Sequence, residues 1–199
     1  MHVSKWMATK VITVTKKTDI KEALQLMEKY SIRHLPVVEK GQFVGFVTES
    51  DLRPLLIPAM LEDIKVKDAM ITEPVVVSPD TDIETAAKLI YQYKIGGLPV
   101  IEGKKVAGII TTTDILRAFI EIMGILMAGS RLDIAIGDAP DAFKEVCDII
   151  SNHHGRIISL GILPNEEETI YAFRLEKCDL KPIVKALSTS GYKVISTFP

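Results

Sequence analysis

Two short segments of the chain carry residue types that could bind a charged or hydroxylated ligand. Each has a threonine followed three positions later by an aspartate: Thr48 with Asp51, and Thr111 with Asp114. At a helix start, a hydroxyl and the helix dipole favour a phosphate, and a carboxylate can accept hydrogen bonds from two ribose hydroxyls. The spacing is also nearly that of a capping box, in which both side chains only satisfy free amides. The residues alone leave both interpretations open.

The two segments belong to a longer internal repeat. Residues 7–51 align with residues 70–114 at a constant offset of 63 without a gap, and 17 of the 45 aligned positions are identical. This agreement indicates that the copies share one local fold. Because two copies can bury their apolar faces against each other, we predict a pseudo-symmetric pair of small modules with a cleft at their junction.

Composition limits the possible functions. The chain has 199 residues, 47% of them hydrophobic, which is enough for the repeat pair and one further small domain. Acidic and basic residues are interleaved and the net charge is −2, so we expect no nucleic-acid partner. Cys147 and Cys178 lack metal-ligand spacing, which favours a reducing compartment and no metal site.

No segment of the sequence predicts export or membrane insertion. Met1 to Lys10 lacks the long apolar stretch of a signal peptide, and the apolar run from Ile122 to Ala128 is far shorter than the ~20 residues that span a bilayer. We therefore predict a cytoplasmic protein with no membrane partner.

Hydrophobic periodicity predicts the same order of elements in both copies. A strand over Val11 to Val14 precedes a helix that Thr18-Asp19 begins, and in the second copy Thr81 and Glu84 predict a capping box. A hairpin of two strands and a second helix then complete each copy. The start, turn and end of the hairpins are marked by Pro36, Gly41 and Thr48, and by Pro99, Gly103 and Thr111.

This order, together with the repeated Leu-Pro-Val, Gly and Thr-x-x-Asp motifs, resembles the CBS domain, and the pair resembles a Bateman module. The resemblance implies an adenine nucleotide as a regulatory ligand and no required cofactor, with the threonines near phosphate and the aspartates on ribose. It adds further candidates bordering the cleft: Arg33 and His34 as phosphate partners, Gly96 and Gly97 as points of close backbone approach, and Ile12 and Val75 as apolar neighbours of the purine. For these residues, ordinary surface or core positions remain the alternatives.

After Gly129 the pattern changes to that of a βαββαβ, ferredoxin-like domain. The predicted elements are Leu132 to Ile136, Asp141 to Ser151, Arg156 to Leu163, Thr169 to Leu175, Leu180 to Leu187 and Tyr192 to Phe198. This part resembles an ACT domain, with Asp138 to Phe143 near the usual loop into the first helix. Asp141 stands where amino-acid-binding members commonly have glycine, so we favour a dimerising or signal-receiving role over amino-acid binding.

The predicted fold class is therefore α/β (α+β), with CBS domains over residues 1–62 and 63–128 and an ACT-like domain over residues 129–199. The combination resembles the acetoin-utilisation regulator family. CBS pairs also occur in inosine monophosphate dehydrogenases, but a catalytic barrel needs about 250 residues, more than this sequence contains.

We hypothesise a non-catalytic regulator that binds AMP, ADP, ATP or S-adenosylmethionine and passes its state to the ACT-like domain or to a regulated protein partner. The alternatives are a dimerisation module with empty clefts, an amino-acid sensor, and an autonomous enzyme, for which no catalytic group is found. Apolar helical faces predict a homodimer or, alternatively, intrachain core; they comprise Leu55, Leu56, Met60 and Leu61, and Ile115, Phe119, Ile122 and Met123.

Overall fold

The computed structural model describes residues 1–57, 63–127, 129–137, 139–163 and 168–199. These residues form two compact units, residues 1–118 and residues 119–199. The first unit contains both sequence repeats. Met60, Leu61 and Asp138 lie outside the described residues, so the predictions that involve them stay predictions.

Both repeats contain a helix, a hairpin and a second helix, as the periodicity predicts. In the first repeat these are α1 (Ile20–Lys29), β1 (His34–Glu39), β2 (Gln42–Thr48) and α2 (Glu49–Leu52). In the second they are α3 (Ile83–Tyr93), β3 (Gly97–Glu102), β4 (Lys105–Thr111) and α4 (Thr112–Ile122). Each hairpin is an antiparallel pair with one bulge, at Val37/Val38 or Val100/Ile101.

The predicted first strand of each repeat is wrong in extent. Val14 makes a single parallel bridge to Val37, and Val77 makes the equivalent bridge to Val100. Val14 donates to the Pro36 carbonyl and accepts from the Val38 amide. The ladder ends there because Pro36 has no amide to donate to the Ile12 carbonyl, and the Lys16 amide donates to the Glu39 carboxylate instead of to the partner backbone. Ile12 and Val75 therefore lie outside any regular strand.

The predicted capping box of Thr81 and Glu84 is also wrong. Asp82 is the N-cap of α3, and its carboxylate accepts hydrogen bonds from the amide of Thr85 at 2.9 Å and from its hydroxyl at 2.5 Å. The Thr81 hydroxyl instead accepts from the amide of Ser78 in the preceding turn. Thr81 and Asp82 could each cap α3. Because the Thr81 hydroxyl is already hydrogen-bonded in the preceding turn, Asp82 is the cap.

The repeats exchange the segments that precede them. The amide of Val3 donates to the carbonyl of Thr81 in the second repeat, and the amide of Val66 donates to the carbonyl of Thr18 in the first. Two more equivalent bridges join Ala8 to Ile109 and Ile71 to Phe46. Each repeat is therefore completed by a segment that precedes the other, and the pair forms one unit.

Equivalent positions form the cores of the two repeats. The buried residues of the first are Val14, Ile20, Ala23, Met27, Leu35, Val37, Val47, Leu52 and Val66. At the matching offset the second repeat buries Val77, Ile83, Ala86, Ile90, Leu98, Val100, Ile110 and Ile115, with Val3 in place of Val66. The same pattern of apolar burial thus stabilises both copies.

The second unit has the predicted ferredoxin-like topology. Its elements are β5 (Gly129–Ala135), α5 (Ala142–Asn152), β6 (Ile157–Leu163), β7 (Ile170–Glu176), α6 (Leu180–Thr189) and β8 (Lys193–Phe198). The strands form one antiparallel sheet in the order β6-β7-β5-β8. Its core contains Leu132, Ile134, Val146, Ile150, Phe173, Leu175, Ile183 and Leu187.

The apolar helical faces predicted to be exposed are only partly so. Ile115 is buried in the second-repeat core, and Leu55 packs against the first-repeat core, so for these residues the intrachain alternative is the right one. Leu56, Ile122 and Met123 are exposed. The homodimer remains a prediction.

Candidate functional site

Thr48 and Asp51 form a closed capping box at the end of β2. The carboxylate atom Oδ2 of Asp51 accepts from the Thr48 amide at 2.9 Å and from the Thr48 hydroxyl at 2.7 Å. In return the Thr48 hydroxyl oxygen accepts from the Asp51 amide at 3.3 Å. The capping interpretation is therefore confirmed, and Oδ2 and the hydroxyl proton are engaged inside the turn.

The second repeat reproduces this geometry. Oδ2 of Asp114 accepts from the amide and the hydroxyl of Thr111 at 2.8 Å and 2.6 Å, and the Asp114 amide donates to the Thr111 hydroxyl oxygen at 3.4 Å. Both aspartates are half-buried, and both present a second carboxylate oxygen for which the described residues supply no hydrogen bond. That oxygen is the part of each turn that can accept from a ligand hydroxyl.

A backbone hydrogen bond joins each turn to the segment before its hairpin. The Glu49 amide donates to the carbonyl of Arg33 at 2.9 Å, and the Thr112 amide donates to the carbonyl of Gly96 at 3.0 Å. His34 and Thr48 are direct partners across the first hairpin. The chain thus brings Arg33, His34, Thr48 and Asp51 together, and the same bonds bring together Gly96, Gly97, Thr111 and Asp114.

The His34 ring packs between the repeats, against Phe46 of its own repeat and beside Gly96 of the other. Its imidazole stacks on Phe46, with 5.8 Å between ring centroids and 16° between ring planes. Burial lowers the pKa of His34 from its ordinary value of 6.5, the neighbouring Arg33 guanidinium lowers it further, and Asp51 opposes the change. The ring is therefore neutral near pH 7 and is a weak partner for phosphate, in contrast to Arg33, whose side chain is exposed.

Both glycines permit a close approach, but other protein groups make it. A Cβ placed on Gly96 would lie 3.0 Å from Nε2 of His34, whereas one on Gly97 would lie 3.1 Å from the Ile110 carbonyl oxygen and 3.3 Å from Cγ2 of Thr111, with Cε1 of His34 at 3.5 Å. The sequence predicts this close approach for a ligand, because it does not reveal that the differing positions of the two repeats face each other.

The remaining predicted residues are half-buried. Ile12 packs against the first-repeat core, and Val75 occupies the equivalent position in the second repeat. Gly45 and Gly108 are the glycines of the repeated motif singled out in the sequence, and Phe46 follows Gly45, but no individual role was predicted for these residues. Phe46 stacks on His34, and the glycines lie against the segments that precede the opposite repeats.

The described residues contain no cluster of three or more potential metal ligands and no helix long and apolar enough to cross a membrane. Two cavities lie elsewhere. One, of about 310 Å³, is lined by Asp19, Gln25 and Asp63 among others. Another, of about 360 Å³, is lined in the second unit by residues including Ile136, Ala142, Tyr192 and Lys193. None of the predicted nucleotide-binding residues lines either cavity.

The sequence matches a known domain family and several known proteins. The CBS domain family model matches residues 3–57 and 66–121, more than half of the chain. Inosine-5'-monophosphate dehydrogenase from Methanocaldococcus jannaschii is 30% identical over 190 residues, which cover 90% of this chain but 37% of that enzyme. The CBS domain-containing protein YhcV from Bacillus subtilis is 33% identical over 111 residues, covering 55% of this chain and 79% of YhcV. The chain thus spans well under half of the dehydrogenase and most of YhcV.

Solved structures resemble the repeat pair. CBSX2 from Arabidopsis thaliana, in complex with AMP, is 29% identical with a TM-score of 0.56, covering 61% of this chain and 97% of CBSX2. The CBS domain pair of MJ0100, in complex with 5'-methylthioadenosine and S-adenosyl-L-methionine, is 28% identical with a TM-score of 0.55, covering 60% and 95%. A Vibrio cholerae protein named for acetoin utilization (AcuB) is 26% identical with a TM-score of 0.58, covering 63% and 96%. This chain belongs to the CBS domain family and carries two copies of the domain.

Proposed function

We propose that the chain is a non-catalytic regulatory module that binds an adenine nucleotide, namely AMP, ADP, ATP or S-adenosylmethionine, between its CBS domains. The observation that carries the proposal is the duplicated turn in which Asp51 and Asp114 each keep one carboxylate oxygen available beside the junction of the repeats. The structures of CBSX2 with AMP and of MJ0100 with S-adenosyl-L-methionine support the class of ligand.

The proposed roles follow from the chemistry of each group. The available oxygens of Asp51 and Asp114 accept ribose hydroxyls, while Thr48 and Thr111 stand near the phosphate and hold the aspartates, to which their hydroxyls donate. Arg33 supplies positive charge, which a phosphate prefers over the neutral His34 ring. The other residues in this proposal, Ile12 and Val75 beside the purine and Gly96 and Gly97 in the floor of the second cleft, complete the two sites.

Regulation requires that the nucleotide bind two arrangements of the protein with different affinity. In this proposal the ferredoxin-like unit is an ACT-like domain that receives that difference or passes it to a protein partner, in a cytoplasmic homodimer. The likeness to the Vibrio cholerae protein favours a role related to acetoin utilisation. The whole module then works without a catalytic cofactor.

The test is thermal unfolding of the full chain with AMP, ADP, ATP, S-adenosylmethionine and a panel of amino acids. A ligand at about 100 times its dissociation constant adds roughly 2.7 kcal/mol to the free energy of unfolding, which raises Tm by several degrees. We expect such a rise with a nucleotide, and we expect it to be lost when the aspartate of the occupied cleft is changed, so that Asp51→Ala and Asp114→Ala together identify that cleft. Asp82→Ala is the matched control, because it also deletes a helix cap but lies outside both turns.

Two other results would replace the proposal. No shift with any nucleotide, while the chain still self-associates, would identify a dimerisation module with empty clefts. A shift with an amino acid alone would move ligand binding to the second unit, where the cavity beside Ile136 and Ala142 could accommodate a small molecule.

A further inference from the structure

The two clefts differ at two adjacent pairs of equivalent positions before the hairpin. Arg33 and His34 precede Leu35 in the first repeat, whereas Gly96 and Gly97 precede Leu98 in the second. The rest of each site is nearly identical in geometry, since the capping boxes agree to within a few tenths of an ångström. Among the predicted site residues, these four show the largest difference in size and charge between the two copies.

The His34 ring occupies the space beside the second-repeat glycines. The space that a side chain on Gly96 would need is taken by Nε2 and Cε1 of His34, at 3.0 Å and 3.3 Å from the added Cβ. Phe46 stacks on the ring. A Cβ on Gly97, the position equivalent to His34, would already lie 3.5 Å from Cε1 of His34, so a larger side chain there would have little room beside the ring.

Charge separates the clefts in the same direction. Arg33 makes no ion pair with a described residue, and its guanidinium is close enough to lower the pKa of His34. The equivalent position in the second repeat is Gly96, which carries no charge. Arg33 can therefore bind a phosphate in the first-repeat cleft. At the corresponding place in the second cleft the phosphate would lie beside the His34 ring.

Building on the proposed function, we infer that His34 makes the two clefts unequal, so that each chain binds one adenine nucleotide, in the first-repeat cleft. The imidazole edge partly covers the backbone at Gly96, and in this inference it occupies space that a second nucleotide would need. His34 is thus a specificity-determining residue that acts on the neighbouring cleft rather than on its own.

Isothermal titration of the full chain with AMP, ADP and ATP measures this directly. We expect one site per chain, with affinity reduced about tenfold or more by Asp51→Ala and by Arg33→Ala, reduced much less by Asp114→Ala, and unchanged in the Asp82→Ala control. His34→Ala opens the covered floor, so we expect a second site that the double change His34→Ala with Asp114→Ala removes again.

Several outcomes overturn the inference while the proposed function stands. They are two sites in the unmodified chain, one site that depends on Asp114 instead of Asp51, or one site remaining after His34→Ala in a protein that unfolds cooperatively. The Asp51 and Asp114 variants leave the ring in place, so they decide the question even if His34→Ala fails to fold. Absence of binding by every nucleotide would remove the proposed function, and the inference with it.

Discussion

The two CBS repeats differ least where the fold requires a residue and most where a ligand would be recognised. Their cores bury equivalent positions, and their capping boxes close with Thr–Asp distances of 2.7 Å and 2.6 Å. They diverge at the segment before the hairpin and in the helix after the turn. There α2 has 4 residues and passes into a turn containing Pro54, whereas α4 has 11 residues. The two repeats thus share the scaffold and differ in the residues and helix beside the candidate site.

The largest expected effect tests whether the cores are equivalent. Leu35→Ala and Leu98→Ala each remove a fully buried side chain at the same repeat position, and each should lower the free energy of unfolding by about 2–5 kcal/mol. Urea denaturation measures both. Leu116→Ala, at a 58% exposed position, should stay within about 0.5 kcal/mol. A large loss in one repeat alone would show that the cores are not equivalent.

The next effect tests the exchanged segments. A Cβ on Gly45 would lie 2.9 Å from the Ile71 carbonyl oxygen, and one on Gly108 would lie 2.9 Å from that of Ala8 and 2.6 Å from Sδ of Met7. Gly45→Ala and Gly108→Ala should each cost about 1–3 kcal/mol, with Gly108 the more sensitive because both neighbours are too close. Gly137→Ala is the control for this denaturation series, since its Cβ meets nothing within 4 Å. Equal stability of all three variants would contradict the close approach.

Removing the caps should cost less. Thr48→Ala and Thr111→Ala each delete the hydroxyl that accepts from the Asp51 or Asp114 amide, so each should lower ligand-free stability by about 1 kcal/mol. Thr48→Ser and Thr111→Ser keep the hydroxyl and should restore most of that stability in the same thermal scans. If the serine variants are as unstable as the alanine variants, the methyl packing is responsible and the cap is not.

The smallest expected effect is a pH dependence of stability caused by His34, whose equivalent in the second repeat is Gly97. Burial lowers the folded-state pKa of His34 below 6.5, so the unfolded chain binds a proton more readily. Stability from this residue is therefore complete above pH 6.5 and declines as the pH falls below it. His34→Phe keeps a ring on Phe46, and it should show a shallower loss of stability between pH 7 and pH 5.5. An unchanged pH profile would show that the ring is not preferentially neutral when folded.

Local signals predicted most of the fold. The elements of the second unit were placed within a few residues, because periodicity and turn residues mark them directly, as in the helix that begins at Leu180. The failures were of two kinds. At Thr81 and Asp82 two caps compete, and the neighbouring turn decides between them. Around Val14, strand length depends on a partner 23 residues away, at Val37.

The local structure around the candidate site could be predicted from the sequence, but the contacts between the repeats could not. Sequence located the Thr–Asp turns and noted that Arg33 and His34 differ from Gly96 and Gly97. It could not show that the two differing positions face each other, because that contact depends on how the repeats pack. The glycines at 45 and 108 were visible as repeated residues, but the backbone that requires them belongs to a segment preceding the opposite repeat.

The exchanged segments also affect the order in which this protein can assemble during translation. Val3 hydrogen-bonds to Thr81 and Ala8 to Ile109, so the segment before the first repeat cannot make its native contacts until the second repeat has been synthesised. At about 5–20 residues per second, that interval is several seconds or more. The first repeat likewise lacks Val66 until later synthesis supplies it. Neither repeat can reach its final structure before both have been synthesised. The pair therefore completes its folding in one late step.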